Sequence, residues 1–207
     1  IKDARTKTLE LSGANVELQA LQADLEERVN ERTKTLERRA KQLQATASVG
    51  NAASTIRNIQ QLIERVTRLI TERFGFYHVG IFILDERNEY AVLHGSSSPG
   101  GKRMLERGHR LKVGEVGIVG SVAASRAARI SLDVGEDAVF FDNPDLPDTR
   151  SEMALPLLAG GTILGVLDVQ SIEPNAFAED DIATLQILAD QIAVSIQNTL
   201  FLEQTQE

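Results

Sequence analysis

Three histidines are the residues of this chain whose chemistry best suits metal binding or proton transfer. His78, His94 and His109 fall in three different predicted β-strands. Zinc-type sites combine histidines and cysteines at short, fixed spacings, and this sequence has no cysteine and no pair of histidines four residues apart. We therefore predict that the three histidines are structural or solvent-facing, and we assign no residue as a metal ligand.

Carboxylates are concentrated in two places. Five lie in a loop over residues 134–149, and three more open the last predicted helix at residues 179–181. An acidic loop is usually solvated, and the helix dipole favours anions in a first helical turn. Gly114, Gly117 and Gly120 lack the spacing of a phosphate-binding P-loop. With no catalytic arrangement in view, we predict that this chain is not an enzyme and has no catalytic residues.

Composition excludes several classes of protein. The 207 residues carry a net charge of −8, and the part after residue 50 holds 13 basic against 22 acidic residues. An acidic surface argues against nucleic-acid binding. No apolar run approaches the roughly 20 residues of a membrane span, so no membrane contact is predicted. The absence of cysteine fits a reducing compartment, and we predict a cytoplasmic location.

The stretch from Ser151 to Ser171 organises the predicted fold. Two apolar runs, residues 153–158 and 163–169, flank a Gly160-Gly161 pair, which is typical of a β-hairpin turn. Each run is apolar on both alternating faces, Asp168 excepted, as in a strand buried on both sides. The helices and strands around this hairpin follow the order α-ββ-loop-β-α-β-loop-ββ-α. This order predicts an α+β fold, a mostly antiparallel central sheet with helices on both faces.

The same stretch resembles the central hairpin of GAF domains, which are small-molecule and signalling modules. A Ser151-x-x-x-x-Pro156-Leu157 run is followed by a small turn and Ile163-Leu-Gly-Val-Leu167, and Phe177-Ala-Glu-Asp-Asp181 opens the last helix. The resemblance covers residues 51–200. It implies a GAF-like fold with a ligand pocket between the sheet and the loop at residues 134–149. We expect the lining of this pocket to include Val122, Phe140, Phe141, Arg150, Met153 and Leu155. An alternative is that the two phenylalanines simply fill it.

The resemblance also ranks possible ligands and activities. Nucleotide-binding GAF domains carry an Asn-Lys and Phe-Asp-Glu pattern, whereas this chain has Gln170-Ser171 and Phe177-Ala178-Glu179, so cyclic-nucleotide binding is the less favoured alternative. A thioether-linked bilin needs a cysteine, which is absent, and the cofactor is otherwise unknown. Free methionine sulfoxide reductases use the same fold with catalytic cysteines, which again argues for a non-enzymatic module.

A long helix is predicted ahead of this domain. From Ala14 to Val49 there is no proline or glycine, and the apolar residues recur at eleven-residue intervals. A narrow apolar stripe with charged flanks needs a partner helix, most simply its own copy in a parallel coiled coil. The residues of this predicted stripe are Leu18, Leu21, Leu25, Val29, Arg32, Leu36, Ala40, Leu43 and Ala47. Arg32 is the one charged member and a candidate weak layer.

These observations predict three segments and one function. Residues 1–50 form the signalling helix or coiled coil, residues 51–200 the GAF domain, and residues 201–207 an extension of its last helix. We expect a sensory or relay module, cut from a longer signal-transduction protein such as a sensor histidine kinase of a two-component system. It would dimerise through the coil and pass a ligand- or partner-induced change along its terminal helices. A ligand-free structural dimerisation scaffold is the alternative.

Overall fold

The computed structural model describes residues 19, 21–22, 24–36, 39–40, 58–137, 139 and 141–204. The chain separates into two compact units, Ile1–Gln44 and Ala45–Glu207. In the first unit the described residues are helical. Leu21, Leu25, Val29 and Leu36 of the predicted stripe are each 57–65% exposed, and Arg32 and Ala40 are exposed as well. Leu18, Leu43 and Ala47 lie outside the described residues, and pairing of the stripe with a second copy stays a prediction.

The second unit is built on a six-stranded sheet with the order β3-β2-β1-β6-β5-β4, and every neighbouring pair is antiparallel. This confirms the predicted mostly antiparallel α+β fold. Its strands are β1 His78–Leu84, β2 Tyr90–Ser96, β3 Arg110–Lys112, β4 Arg129–Ser131, β5 Ser151–Ala159 and β6 Thr162–Ser171. Its helices are α1 Ile59–Phe74, α2 Pro99–Glu106, α3 Gly117–Ser125 and α4 Glu179–Gln204, with a 3-10 turn at Val134–Glu136.

Both strands of the β5–β6 hairpin lie inside the sheet, as their apolar runs predict, and β6 is one of its two central strands. Gly160 and Gly161 have φ angles of 57° and 81°, the left-handed values that a tight hairpin turn requires. Pro156 pairs with Val166 of β6 and lies beyond the end of β4. Its missing N–H therefore costs no hydrogen bond on the β4 side.

Gly165 of β6 is a point of close approach, but its neighbour differs from the prediction. The sequence suggests a helix packed over Gly165. In the structure a Cβ at this position would lie 2.0 Å from the carbonyl oxygen of Phe82 in the adjacent strand β1. The glycine is therefore needed for strand-to-strand packing, because the backbone of β1 occupies the space of a side chain.

Two hydrophobic cores lie on the two faces of the sheet. On the first face, the terminal helices α1 and α4 pack over Val79, Met153, Leu155, Leu167 and Val169. The second face carries α2 and α3, which cover a different set of strand residues: Phe82, Ala91, Leu93, Ala154 and Val166. Because side chains alternate along a strand, β5 and β6 send neighbouring residues to opposite cores. The hairpin thus contacts the terminal helices α1 and α4 on one face and the core beneath α2 and α3 on the other.

No described helix of the protein is long and apolar enough to cross a membrane.

Candidate functional site

Two buried carboxylates lie on the second face of the sheet, and we call Glu152 and Asp168 the acidic pair. Glu152 is 5% exposed and Asp168 is 2% exposed. Asp168 of β6 stands between two small residues, since Gly80 of β1 and Ala154 of β5 are its partners on the neighbouring strands. The Asp168 carboxylate therefore has no long side chain directly beside it on either neighbouring strand.

Polar side chains surround the acidic pair. The adjacent row across the sheet is His78, Gln170 and Glu152. Gln170 donates from Nε2 to Asp168 Oδ2 at 2.7 Å, and it accepts from the Thr149 hydroxyl at 2.6 Å. These hydrogen bonds fix one Asp168 oxygen, whereas the other, Oδ1, is buried and receives no hydrogen bond from any described group outside the acidic pair. Buried polar atoms are rarely left unpaired, so Oδ1 calls for an explanation.

His78 is fully buried beside Asp168 and has an unpaired nitrogen of its own. Its Nδ1 lies 2.7 Å from Ser98 Oγ, which also accepts a hydrogen bond from the backbone N–H of Gly101. The Ser98 hydroxyl is therefore free to donate to Nδ1 in the tautomer that carries its proton on Nε2. Nε2 lies 3.7 Å from Asp168 Oδ2, too far for a hydrogen bond, and no other described group pairs with it.

Helix α2 holds His78 in this position. Ser98 caps the N-terminus of α2, and Gly101 sits in its first turn. A Cβ at Gly101 would lie 2.8 Å from His78 Cε1 and 1.6 Å from Ser96 Oγ. The first turn of α2 therefore packs directly on the imidazole, which is possible only because residue 101 is a glycine.

Burial dominates the electrostatics of the site. It raises the pKa of Glu152 well above the usual range, and the charge and hydrogen bonding of Asp168 and the charge of Asp137 raise it further. Burial also raises the pKa of Asp168, while hydrogen bonds from Gln170 and Glu152 oppose this rise. For His78, burial and the neighbouring His109 lower the pKa to about 4. At neutral pH the imidazole is therefore neutral, and the acidic pair retains a proton.

The acidic pair forms the floor of a small cavity. The cavity has a volume of about 20 Å³, enough for about one water molecule. Glu152, Asp168 and Gln170 supply its polar floor. The rest of its lining is apolar or aromatic, together with an amide: Phe82, Met104, His109, Leu111, Gly117, Ile118, Val119, Phe141 and Asn143.

Phe141 separates this inner cavity from an outer cleft. The cleft has a volume of about 380 Å³ and shares only Gly117 and Phe141 with the inner cavity's lining. The Phe141 ring is 41% exposed, and its centroid lies 6.4 Å from that of His109. Phe141 thus lies between the outer cleft and the cavity that holds the acidic pair.

The segment after Phe141 is attached to α2. Asn143 donates from Nδ2 to Met104 Sδ at 3.3 Å, and Asp145 forms ion pairs with Arg103 and Arg107. Its backbone approaches α2 so closely that a Cβ at Gly100 would lie 2.0 Å from the Asp145 carbonyl oxygen. The loop is thus anchored on the far side of Phe141.

The residues predicted to line the pocket are divided by the sheet. Phe141 lines both the inner cavity and the outer cleft, and Val122 is buried in the second-face core without lining either. Met153 and Leu155 lie on the opposite face, against α1 and α4, because the alternation of β5 sends Glu152 and Ala154 to the cavity side. Arg150 is exposed, 3.8 Å from Asp133, and lines neither space. Phe140 lies outside the described residues.

The acidic pair itself is absent from the sequence-based prediction. A signal for it exists, because Glu152 and Asp168 are the two charged residues inside strands otherwise buried on both faces. A charge in such a strand must be paired or serve a function. His109, predicted to be structural or solvent-facing, lines the inner cavity. Among the described residues, no group of three or more histidines, aspartates or glutamates could hold a metal ion.

Comparison with known proteins decides the family. A family model described as a GAF domain matches residues 57–197, which is more than half of the chain. The chain belongs to the GAF family. This confirms the resemblance that the hairpin motifs suggest, and it identifies the second unit as a GAF domain, a general signalling and sensory module.

Individual GAF-fold relatives are more distant. A GAF domain-containing protein A from Dictyostelium discoideum is 31% identical over 115 residues, which are 56% of this chain and 66% of that protein. The chain thus spans slightly less than two thirds of this relative's length. The solved GAF domain of a phosphoenolpyruvate-protein phosphotransferase from Coxiella burnetii is similar with a TM-score of 0.69 and 24% identity, covering 77% of this chain and 94% of that domain.

A further similar structure overturns one prediction. Free methionine-R-sulfoxide reductase from Neisseria meningitidis, solved in complex with its substrate, has a TM-score of 0.67 and 22% identity, over 76% of this chain and 89% of that enzyme. The prediction that this chain is not an enzyme, which rests on the lack of a catalytic arrangement, is therefore wrong, because such reductases are among the structures that share its fold. A GAF fold gives no ground for excluding catalysis.

Proposed function

We propose that this protein is a sensory GAF module in which a small molecule binds over the acidic pair, behind Phe141. The observation that carries this proposal is the incomplete pairing of the site. His78 Nε2 is buried without a partner among the described residues, Asp168 Oδ1 is buried with no donor outside the acidic pair, and Asp168 lines the inner cavity. A folded protein normally satisfies such atoms, and a bound ligand is one way to satisfy them.

The route from ligand to output runs through the central hairpin. Asp168 and Gln170 face the cavity, while Leu167 and Val169 between and beside them pack against α1 and α4. A ligand that shifts β6 by a fraction of an ångström therefore also shifts the packing of both terminal helices. Coupling of this kind requires a ligand that binds two arrangements of the domain with different affinity.

The expected result is that freshly purified protein carries a small molecule and that Phe141 reports its binding. Native mass spectrometry detects the molecule directly. The chain has no tryptophan, so Phe141→Trp places a single indole at the entrance, with Phe201→Trp on the exposed end of α4 as the matched control. Adding back the released small-molecule fraction should change the emission of Trp at position 141 and leave that at position 201 unchanged.

Hydrogen exchange completes this test. Ligand addition should slow amide exchange in α1 and α4 as well as in the β5–β6 hairpin, because the helices share a core with the hairpin. Protein that carries no small molecule, together with unchanged emission and unchanged exchange, would favour the ligand-free scaffold.

We propose further that the module works as a parallel homodimer within a longer signalling protein, of which a sensor histidine kinase is the favoured type. The support is the apolar stripe of the first unit, in which Leu21, Leu25, Val29 and Leu36 are helical and more than half exposed. Exposed leucines at helical spacing are costly in water unless a partner helix covers them.

Light scattering at micromolar concentration should give a dimer for the full chain and a weaker dimer or a monomer for a chain starting at Asn51. Arg32→Leu extends the apolar stripe and should lower the dimer dissociation constant. Glu31→Gln, at the neighbouring exposed position outside the stripe, is the control and should change it little. A monomeric full chain would contradict the proposal.

A further inference from the structure

We infer that the ligand of this site carries a protonated amine or amidinium head group, which binds Asp168, and a short apolar tail. The inference rests on the proposed function, because it names the class of molecule that the cavity behind Phe141 would take. Three independent features of the site lead to it: the unpaired acceptor, the absence of a protein cation beside it, and the apolar walls.

The unpaired atom is an acceptor that needs a donor. Asp168 Oδ1 is buried and receives no hydrogen bond from any described group outside the acidic pair, whereas Oδ2 already accepts from Gln170. Beside it stands the unpaired Nε2 of His78, 3.7 Å from Asp168 Oδ2. A ligand donor on Oδ1 would complete the hydrogen bonding of the carboxylate. A charged donor would gain most, since charge-assisted hydrogen bonds are roughly twice as strong as neutral ones.

No arginine or lysine among the described residues forms an ion pair with the acidic pair. The nearby cations are committed elsewhere, since Arg129 pairs with Asp137 and both Arg103 and Arg107 pair with Asp145. His78 is fully buried and neutral at pH 7. An anionic head group would place a third acidic group in this cavity without a counter-charge. A cationic head group would supply the counter-charge that the protein itself does not provide.

The walls of the inner cavity select the rest of the ligand. Met104, Leu111 and Ile118 line it beside the ring of Phe82. Since the cavity holds about one water molecule when Phe141 is closed, a ligand of several heavy atoms must displace Phe141 toward the outer cleft. The arrangement fits an ammonium group on the carboxylate floor and an alkyl chain directed toward Phe141.

Binding of a cation has a consequence for protons. At neutral pH the acidic pair retains a proton, and an ammonium ion placed on it favours the doubly ionised form. The proton then leaves to solvent, so one ligand cation enters and up to one proton departs. The other titratable groups that face the pair are Asp137, which is paired with Arg129, and the imidazoles of His78 and His109. Binding should therefore tighten as pH rises, by up to about tenfold per pH unit.

Butylammonium, butyrate and butanol are the probes, matched in size and differing in charge. Binding is measured at constant ionic strength from backbone amide NMR shifts of Asp168 and its neighbours. We expect butylammonium to bind at least tenfold more tightly than the other two and to bind more tightly at pH 8 than at pH 6. Asp168→Asn should weaken it at least tenfold, whereas Asp142→Asn, an exposed carboxylate beside Phe141, should leave its affinity unchanged.

Each other outcome has a definite meaning. Preferred binding of butyrate or butanol at this cavity would overturn the amine inference and leave the proposed ligand-binding function standing. Equal loss in Asp168→Asn and Asp142→Asn would show a general charge effect and would also overturn it. If none of the three probes binds and purified protein carries no small molecule, both the inference and the proposed function fail. Folding of each variant is checked by its melting temperature.

Discussion

Gly165→Val should lower the free energy of unfolding by about 1–3 kcal/mol, or more if β1 cannot yield. A Cβ at Gly165 would meet the Phe82 carbonyl oxygen at 2.0 Å and Ile83 Cα at 3.2 Å. These are backbone atoms of a central strand, so no side-chain rotation can relieve the overlap. The strands β1 and β6 would have to separate at the middle of the sheet, and the hydrogen bonds between them would weaken.

Urea unfolding followed by circular dichroism measures this effect. Thr162→Val is the matched control, because Thr162 is an exposed residue of the same strand and accepts a β-branched apolar side chain without overlap. We expect its unfolding midpoint to change little. An unchanged midpoint for Gly165→Val would show that β1 moves aside at no cost, and would contradict the close packing described here.

The acidic pair should make the protein less stable as pH rises above neutrality. The folded-state pKa values of Glu152 and Asp168 are raised above their ordinary values near 4, chiefly by burial. The folded protein therefore binds protons more tightly than the unfolded chain. Its stabilising contribution is complete below the ordinary pKa and is lost as pH rises through the raised values. The limiting slope is about 1.4 kcal/mol per pH unit for each proton.

Titration of the histidines changes the folding stability at lower pH than titration of the acidic pair does, and in the opposite direction. Burial lowers the pKa of His78 to about 4, so the unfolded chain binds the proton more tightly. Stability from His78 is present above pH 6.5 and is lost as pH falls toward 4. Burial also lowers the pKa of His94 and His109. Above pH 7 the histidines are neutral in both states, which leaves the acidic pair to determine the slope.

Asp168→Asn should therefore raise stability at pH 8 and reduce its decline between pH 7 and 9. The amide keeps the shape of the carboxylate but removes the cost of burying a second negative charge. Unfolding midpoints at pH 7, 8 and 9 for the wild type, Asp168→Asn and the exposed control Asp142→Asn measure this. If wild-type stability is constant over this range, or if Asp168→Asn is the less stable protein at pH 8, the acidic pair is not buried as a protonated pair.

Comparison with known structures contradicted the sequence-based prediction that this chain is not an enzyme. The absence of cysteine removes thiol chemistry from this chain, and that remains true of its sequence. It does not remove chemistry by other groups. The prediction treated the conspicuous carboxylates of the loop and of the last helix as the only candidates, whereas the buried Glu152 and Asp168 are the ones that share a cavity.

Local patterns determined the fold of the GAF domain well. The Gly160-Gly161 turn, the two apolar runs beside it and Gly75, which ends α1 with a φ of 74°, are short-range features with one favourable structure. Their order along the chain then leaves few ways to build the sheet. The confirmed elements are those whose physical cause lies within about ten residues of sequence.

The site depended on contacts that the sequence does not display. When both faces of a strand are apolar, its sequence does not show which face turns toward which core. It therefore does not show that Met153 and Leu155 face the terminal helices while Glu152 faces the cavity. That choice was made by packing on α1, α4 and α3. The sequence by itself determined a GAF domain built around a central hairpin. Only the tertiary structure placed Gly80 and Ala154 on either side of Asp168, because pairing between strands distant in sequence decides which residues flank a buried carboxylate.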